Sequence, residues 1–482
     1  MSTHFSPLIA SVDSTHIDQP ITVHAPFDHS IIATVDTVNQ QGVDHALTTA
    51  HAIFNDRKQW LSVATRISIL EKAAEIMQSR FAELALEAAR EGGKPLGDSE
   101  VEVARAIDGV KNCIECIRTD VGREIPMGLN AASTGRLAFT HKEPIGVVVA
   151  VSAFNHPLNL IVHQVAPALA AGCPFIVKPA GDTPLSCFRF IEILHAAGLP
   201  IEYGQALLTN TTSTTQTLVT DPRLGFFSFI GSANVGWMLR AKLAPGVRCA
   251  LEHGGVAPVI VAADADLDDA APLLAKGGFY HAGQVCVSVQ RIFADSTIAE
   301  TLAHRLATTG SAMKIGDPTH TDTEIGPLIR KAEIDRIDQW VQEAISAGAT
   351  LLCGGNRVGD SGYAATVLLN PPMDTTISQA EVFGPVICVY SFTDIDDAIK
   401  QANSLPFAFQ AAVFTQNLDR ALHCYRQLDA SAVMVNDHTA FRVDWMPFAG
   451  LKHSGYGVGG ISYTIEEMQI EKMAVIRSKS LL

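Results

Sequence analysis

Cys286 stands in HAGQVCVSVQR, where a helical stretch gives way to small residues and then to a strand, a position from which a thiol can face a cleft. As a thiolate it would be a potent nucleophile toward an electrophilic carbon. A cysteine alone is more often a small core hydrophobe, so the reading depends on what else the chain supplies. It supplies FNHP at 154–157, KPA at 178–180, FIGS at 229–232, LEHGG at 251–255, EVFGPV at 381–386, and PFAG at 447–450 ahead of Lys452, Ser454 and Gly455. Asn155, Lys178, Glu252 and Glu381 thereby add an amide, an ammonium and two carboxylates to the thiol.

Other spacings carry less. Gly455, Gly457 and Gly460 match GxGxxG, but the polar KHS precedes them where a dinucleotide fingerprint needs a strand end, so they are rejected as a Rossmann site. Gly231 to Gly236 is better placed: it follows FFSFI and opens a helix at Ala233, which lets Ser232 and nearby backbone amides meet a pyrophosphate. Cys113 and Cys116 form a CxxC, but inside the helical pattern from Glu100 to Arg118, where they read as two thiols one turn apart.

The elements that must hold these groups follow from periodicity. The first third reads as helical, with Ser62 capping a run through Ile67, Leu70, Ala74 and Ile76 and a second amphipathic stretch from Phe81 to Ala89 before Gly92 and Gly93. From Ile145, short β-branched runs at 145–151, 174–178 and 225–230 alternate with helical segments at 158–171, 183–196 and 233–243, the pattern of βαβ units and a parallel sheet. A second such series runs from Pro258 to about Val435, with Gly254 and Gly255 as a hinge between the two. Residues 122–144 suit a hairpin, and the tail from Lys472 can pair with it.

Composition narrows the function. A net charge of −15 with no dense Lys/Arg run disfavours nucleic acid as a partner. Met1 to Pro7 lacks the features of a signal peptide, and the longest apolar run, Ile145 to Phe154, is too short to span a bilayer, so no membrane is expected and the protein reads as cytoplasmic. Nine scattered cysteines form no short-spaced disulfide framework and fit reduced thiols.

Taken together, the six motifs resemble, in order and spacing, the aldehyde dehydrogenase superfamily over essentially the full chain, in its NAD(P)-dependent, hydrolytic, non-CoA-acylating form. The resemblance implies an α/β fold: a Rossmann-type cofactor domain at 1–121 and 145–254, an α/β catalytic domain at 255–448, and a small β oligomerisation element at 122–144 and 463–482. It implies Cys286 as the nucleophile that carries a thiohemiacetal and then a thioester. Asn155 and the cysteine's backbone amide match the oxyanion donors, one of which is typically worth roughly 2.7 to 4 kcal/mol. Glu252 matches the base that activates the hydrolytic water, and its acidity favours a free-acid product over acyl transfer to CoA. No metal ligands are assigned.

For the cofactor, the resemblance assigns Lys178 to the adenine ribose and Glu381 to the nicotinamide ribose, with Phe154, Gly231, Ser232, Gly236 and Phe383 around them. Gly181 departs from the family, many of whose NAD-preferring members carry Glu there to chelate the ribose hydroxyls and repel a 2′-phosphate. Asp182 is the candidate substitute. NAD or NADP is expected, NAD being slightly favoured. His253 and Ala449 are further departures.

The segment NDHTAFRVDWMPFAG precedes the last motif, and in this family such a segment lines the substrate tunnel, which makes Phe441, Arg442 and Trp445 substrate candidates. Arg105 and His156 are two more, although Arg105 can equally pair with Glu102 along its helix. Convergence of both arginines and His156 would suit a small aldehyde carrying a carboxylate, phosphonate or sulfonate, since guanidinium forks match those oxyanions. A homodimer or homotetramer is implied. The alternatives are a CoA-acylating semialdehyde dehydrogenase, a cofactor-free cysteine hydrolase, and a non-catalytic nucleotide-binding or structural protein of the same fold.

Overall fold

The computed structural model describes residues 3–481; Met1 and Ser2, which open the Met1–Pro7 stretch, and Leu482, which closes the 463–482 segment, lie outside the described residues. Six strands form one sheet in the order Gly455–Tyr456, Arg248–Glu252, Leu224–Ile230, Val147–Val151, Phe175–Lys178, Gly204–Ala206. Neighbours run parallel except Gly455–Tyr456, which pairs antiparallel with Leu251 and Glu252. The chain enters at Val147–Val151, winds out through Phe175–Lys178 and Gly204–Ala206, then returns to the other side. That reversal leaves a switch-point crevice at the carboxyl ends of Val147–Val151 and Leu224–Ile230, where open α/β sheets take their ligands.

The near-continuous apolar runs of these strands are what a sheet covered on both faces requires. One face packs on helices Val63–Ser79, Leu96–Thr119 and Asn159–Ala171 through Leu70, Val103, Val110, Val162 and Val165; the other packs on Gln40–Asn55 through Val43 and Leu47. Ser62 caps the first of these helices by accepting from the Thr65 amide, and Gly93 ends Phe81–Gly92 in the left-handed region at φ 73°.

A second sheet has seven strands, in the order Thr350–Cys353, Thr366–Leu369, Val386–Phe392, Arg291–Asp295, Pro258–Val261, Gln410–Phe414, Ala432–Val435. All pairs are parallel except the first, which is antiparallel. A third sheet sets Arg136–Pro144 between Glu124–Ile125 and Gln469–Arg477, the last pairing antiparallel from Gln469↔Pro144 to Arg477↔Arg136. The tail strand thus begins at Gln469, three residues before the expected Lys472. Among the described residues no helix is long and apolar enough to cross a membrane.

The expectation of a helical first third needs correction. Thr3–Phe5, Ile17–His24 and Ile31–Val38 make a three-stranded sheet before the first α-helix begins at Gln40. The β-branched run IIATVDTV alternates Ala33 and Val35 inward, a period of two that a search for helical spacing passes over.

Candidate active site

The carboxyl ends of the first sheet deliver three of the motif residues. Asn155 follows Val147–Val151, Gly231 follows Leu224–Ile230, and Glu252 ends its own strand. Cys286 comes from the loop before Arg291–Asp295, and Glu381 and Phe383 from the loop before Val386–Phe392, so the amino edge of the second sheet faces them. Two contacts join the halves directly: the Asn155 side-chain amide donates to the Gln284 carbonyl at 2.8 Å, and a Cβ at Gly254 would fall 1.7 Å from Glu381 Oε1. The requirement at Gly254 is therefore space for a carboxylate.

Buried polar groups hold both loops. At the start of helix Asn159–Ala171 the amides of Leu158 and Asn159 both donate to Glu102 Oε1 at 2.9 Å, and Lys94 pairs with Glu102 Oε2. Lys94 and Glu102 are both buried, so this pair substitutes for a missing N-cap side chain and fixes the turn that carries Asn155. Ahead of Cys286, His281, Ala282 and Gly283 turn the chain at φ 48°, 54° and 69°. The two non-glycine residues cost of order 1–3 kcal/mol each. Gln284 offsets that by accepting from the Ile329 amide at 3.0 Å and donating to the Pro327 carbonyl at 3.3 Å.

Cys286 packs beside Val285, Val287, Phe409 and Phe448. Burial pushes its thiol above the ordinary cysteine range, the Glu252 carboxylate pushes the same way, and Arg442 opposes them. Burial likewise raises Glu252, with Arg442 and then Arg105 opposing. Arg442 sits with its guanidinium carbon 3.5 Å from the Phe448 ring centroid, Nη1 3.8 Å from Glu252 Oε1, and Nε buried without a partner among the described residues.

Arg105 does not pair with Glu102 as its spacing allowed; Glu102 is spent on Lys94 and the helix amides. Arg105 instead grips Asp444 through Nε at 3.1 Å and Nη2 at 2.7 Å. His156 is buried, which drives its imidazole well below the ordinary range, and its Nε2 lies 3.4 Å from the Tyr280 hydroxyl. Phe441 and Trp445 stay outside this cluster, at 42 % and 58 % exposure. Asp444, His163, Asn159 and Lys94 were missed from the sequence, and Glu102 was considered only as a partner for Arg105. Asp444 lay in the tunnel segment, but nothing local marks which carboxylate meets a distant helix.

The nucleotide side is consistent with a nicotinamide dinucleotide. Ser232 stands at the N-cap of helix Ala233–Arg240 with no side-chain cap bond and is exposed, so the helix amides remain open to a phosphate. A Cβ at Gly231 would come 2.8 Å from the Phe229 ring, and one at Gly236 2.0 Å from the ring of His253, the departure noted above. Burial lowers Lys178 to about 8. Glu381 Oε1 is buried without a partner, and burial raises that carboxyl to about 8, as expected of a group whose hydroxyl donors arrive with a ligand. Phe154 and Phe383 meet edge to face at 5.8 Å. A Cβ at Gly181 would meet only Ile21, at 3.9 Å, leaving the place open. Asp182, the candidate substitute, is held by Arg330 Nε at 3.1 Å.

Comparison with known proteins agrees with this geometry. The profile of the aldehyde dehydrogenase family matches residues 12–474. The 3-sulfolactaldehyde dehydrogenase of Priestia megaterium is 37% identical over 446 residues, covering 92% of this chain and 91% of that one. Aldehyde dehydrogenase 21 from Physcomitrella patens, solved with its reaction product succinate, superposes with a TM-score of 0.95 at 33% identity over 100% of both chains. The glyceraldehyde-3-phosphate dehydrogenase of Methanocaldococcus jannaschii, solved with NADP, gives 0.91 at 32% identity over 96% of this chain and 100% of that one. The chain belongs to the aldehyde dehydrogenase family. It is an enzyme that oxidises an aldehyde with a nicotinamide cofactor.

Proposed function

We propose that the substrate is a small anionic aldehyde, oxidised to its carboxylic acid through a thioester on Cys286. The observation that carries this is Arg442: a buried guanidinium near the thiol, with an unpartnered Nε and its closest carboxylate 3.8 Å away. A cation so incompletely paired is costly unless a ligand anion completes it. The names of three similar proteins point the same way, since they carry a sulfonate, a dicarboxylate product and a phosphate.

Cys286 gives its proton to water, and its sulfur bonds to the carbonyl carbon as the C=O π pair moves onto the oxygen. The Asn155 amide hydrogen not given to Gln284, with the Cys286 backbone N–H, stabilises the oxyanion that forms. When bound, the nicotinamide supplies the acceptor for the aldehyde's hydride. Glu252 then takes a proton from the water that attacks the acyl carbon, the C–S bond breaks, and the thiol is restored. Burial raises the Glu252 carboxyl, which makes it a stronger proton acceptor, and the presence of an acid at this position favours hydrolysis over the CoA-acylating alternative.

We further propose that NADP is accepted beside NAD, because no carboxylate stands at Gly181 and Asp182 is engaged by Arg330. The 122–144 and 463–482 sheet is the proposed contact of a homodimer or a tetramer of dimers. The domain bounds stated above stand as the matching proposal.

The test of the substrate is the ratio of kcat/KM for an anionic aldehyde to that for a neutral aldehyde of equal chain length. Arg442→Ala should lower this ratio roughly ten- to hundredfold, the loss expected for a charged hydrogen-bonded contact. An unchanged ratio overturns the anionic reading.

A further inference from the structure

The buried polar cluster behind Arg442 bears on which substrates the site takes, and its contacts rest on one carboxylate. Asp444 is 2% exposed and accepts from four nitrogens: Arg105 Nε and Nη2, Asn159 Nδ2 at 3.3 Å, and His163 Nε2 at 2.6 Å. On the other edge of the same imidazole, His163 Nδ1 lies 3.4 Å from Arg442 Nη2. A guanidinium has no lone pair and can only donate, so Nδ1 must accept; an ionised Asp444 can only accept, so Nε2 must carry the hydrogen. Both contacts hold together in one state of the ring, neutral with the proton on Nε2.

The remaining geometry makes that state consequential. Arg442 has the Phe448 ring against its face, a carboxylate no nearer than 3.8 Å, and no partner on Nε. His163 is therefore the polar contact that fixes its rotation about the ring normal. Arg105, on helix Leu96–Thr119, is tied to the same Asp444, and its Nη1 donates to no protein acceptor among the described residues.

We infer that Asp444 and His163 are positioning residues for substrate choice: Asp444 orients Arg105 directly and, by fixing the His163 tautomer, orients Arg442, so that the two guanidinium groups meet an anionic aldehyde as a preset clamp. The inference rests on the anionic-substrate reading above and deepens it. Burial and the neighbouring Arg442 hold His163 down at about 4, which keeps the ring neutral across the working range. Preorganisation of this kind shows in selectivity, because a guanidinium free to turn binds the same anion with a lost alignment cost.

The experiment is a double-mutant cycle on the anionic-to-neutral kcat/KM ratio, using His163→Leu, Arg442→Ala and the pair, with His163→Gln as the conservative variant that keeps one donor and one acceptor. His163→Leu should lower the ratio about tenfold, mainly through KM of the anionic aldehyde, and His163→Gln should recover part of it. The double variant should match Arg442→Ala alone, since a residue acting through another adds nothing once that other is gone. Should His163→Leu fail to fold, Asp444→Asn is read instead: it should lower the ratio by itself and, because it also releases Arg105, keep a further but smaller loss in the Arg442→Ala background. Fully additive losses in either cycle, or an unchanged ratio in His163→Leu or Asp444→Asn while Arg442→Ala lowers it, overturn the positioning role and leave the anionic substrate standing. A ratio unmoved by Arg442→Ala overturns both.

Discussion

Three ionisable groups within the cleft are held away from their solution behaviour, and each has a measurable signature. Cys286 is kept protonated by burial and by Glu252, so the thiolate fraction limits attack, and kcat/KM should rise with pH through the neutral and alkaline range. Cys286→Ser should lose activity by roughly three orders of magnitude or more, read from NAD(P)H formation at 340 nm. Glu252→Gln should leave attack possible while stalling hydrolysis, giving a burst of reduced cofactor followed by a slow steady state; a uniform slowing without a burst would argue against its role as the hydrolytic base. Glu381 bears on stability as well as binding. Its carboxyl is raised from 4.5 to about 8 by burial, so the folded chain holds a proton that the unfolded chain releases. That contribution is present below pH 4.5 and is lost as pH rises through about 8. Glu381→Gln should therefore raise the melting temperature of the free enzyme at pH 8 more than at pH 5, while weakening cofactor binding measured by calorimetry.

At the scale of elements, helix starts are where charge has been placed inside. Glu102 takes the amides that open Asn159–Ala171, and Glu91 takes those of Leu185 and Ser186 at the start of Leu185–Ala196. Both carboxylates meet the positive end of a helix dipole, and Glu102 also has Lys94 to neutralise it. Removing one member of such a buried pair leaves the other unpaired, at a cost of about 3–5 kcal/mol. Glu102→Ala should lower unfolding stability by that amount in urea titration. If the loss instead stays near the ~1 kcal/mol of an ordinary cap, the pair is not holding the Asn155 turn.

For the whole molecule, the edge strand Gln469–Arg477 and its neighbour expose Leu137, Phe139, Met473, Val475 and Ile476. The homo-oligomeric contact proposed above falls here, since a sheet edge with this much exposed apolar side chain favours burial against another surface. Val475→Asp should shift the protein toward monomer in light scattering, and an unchanged mass would move the interface elsewhere. The proposed acceptance of NADP is tested at the same scale, at Gly181. Gly181→Glu has room, with Ile21 alone in reach, and should depress kcat/KM with NADP while sparing NAD.

Sequence alone was enough for the family and the class of reaction because the proposed site residues sit in short contiguous motifs: Cys286, Asn155, Glu252 and Glu381 each come with neighbours whose glycines and strand ends are local signals. The βαβ series was legible for the same reason, since apolar periodicity is written along the chain. The N-terminal strands were not, because their period of two runs over only eight residues and was passed over for helical spacing. Tertiary structure alone decided which charges meet. Arg105 had a plausible partner three residues before it and took Asp444, at the far end of the chain, instead; Asp182 was free on paper and is held by Arg330. Ion pairs depend on distance in space, and a buried guanidinium must find a carboxylate wherever the fold brings one. The proposed nucleophile Cys286 was thus legible from its motif, while the charged groups proposed to select its substrate were brought together only by folding.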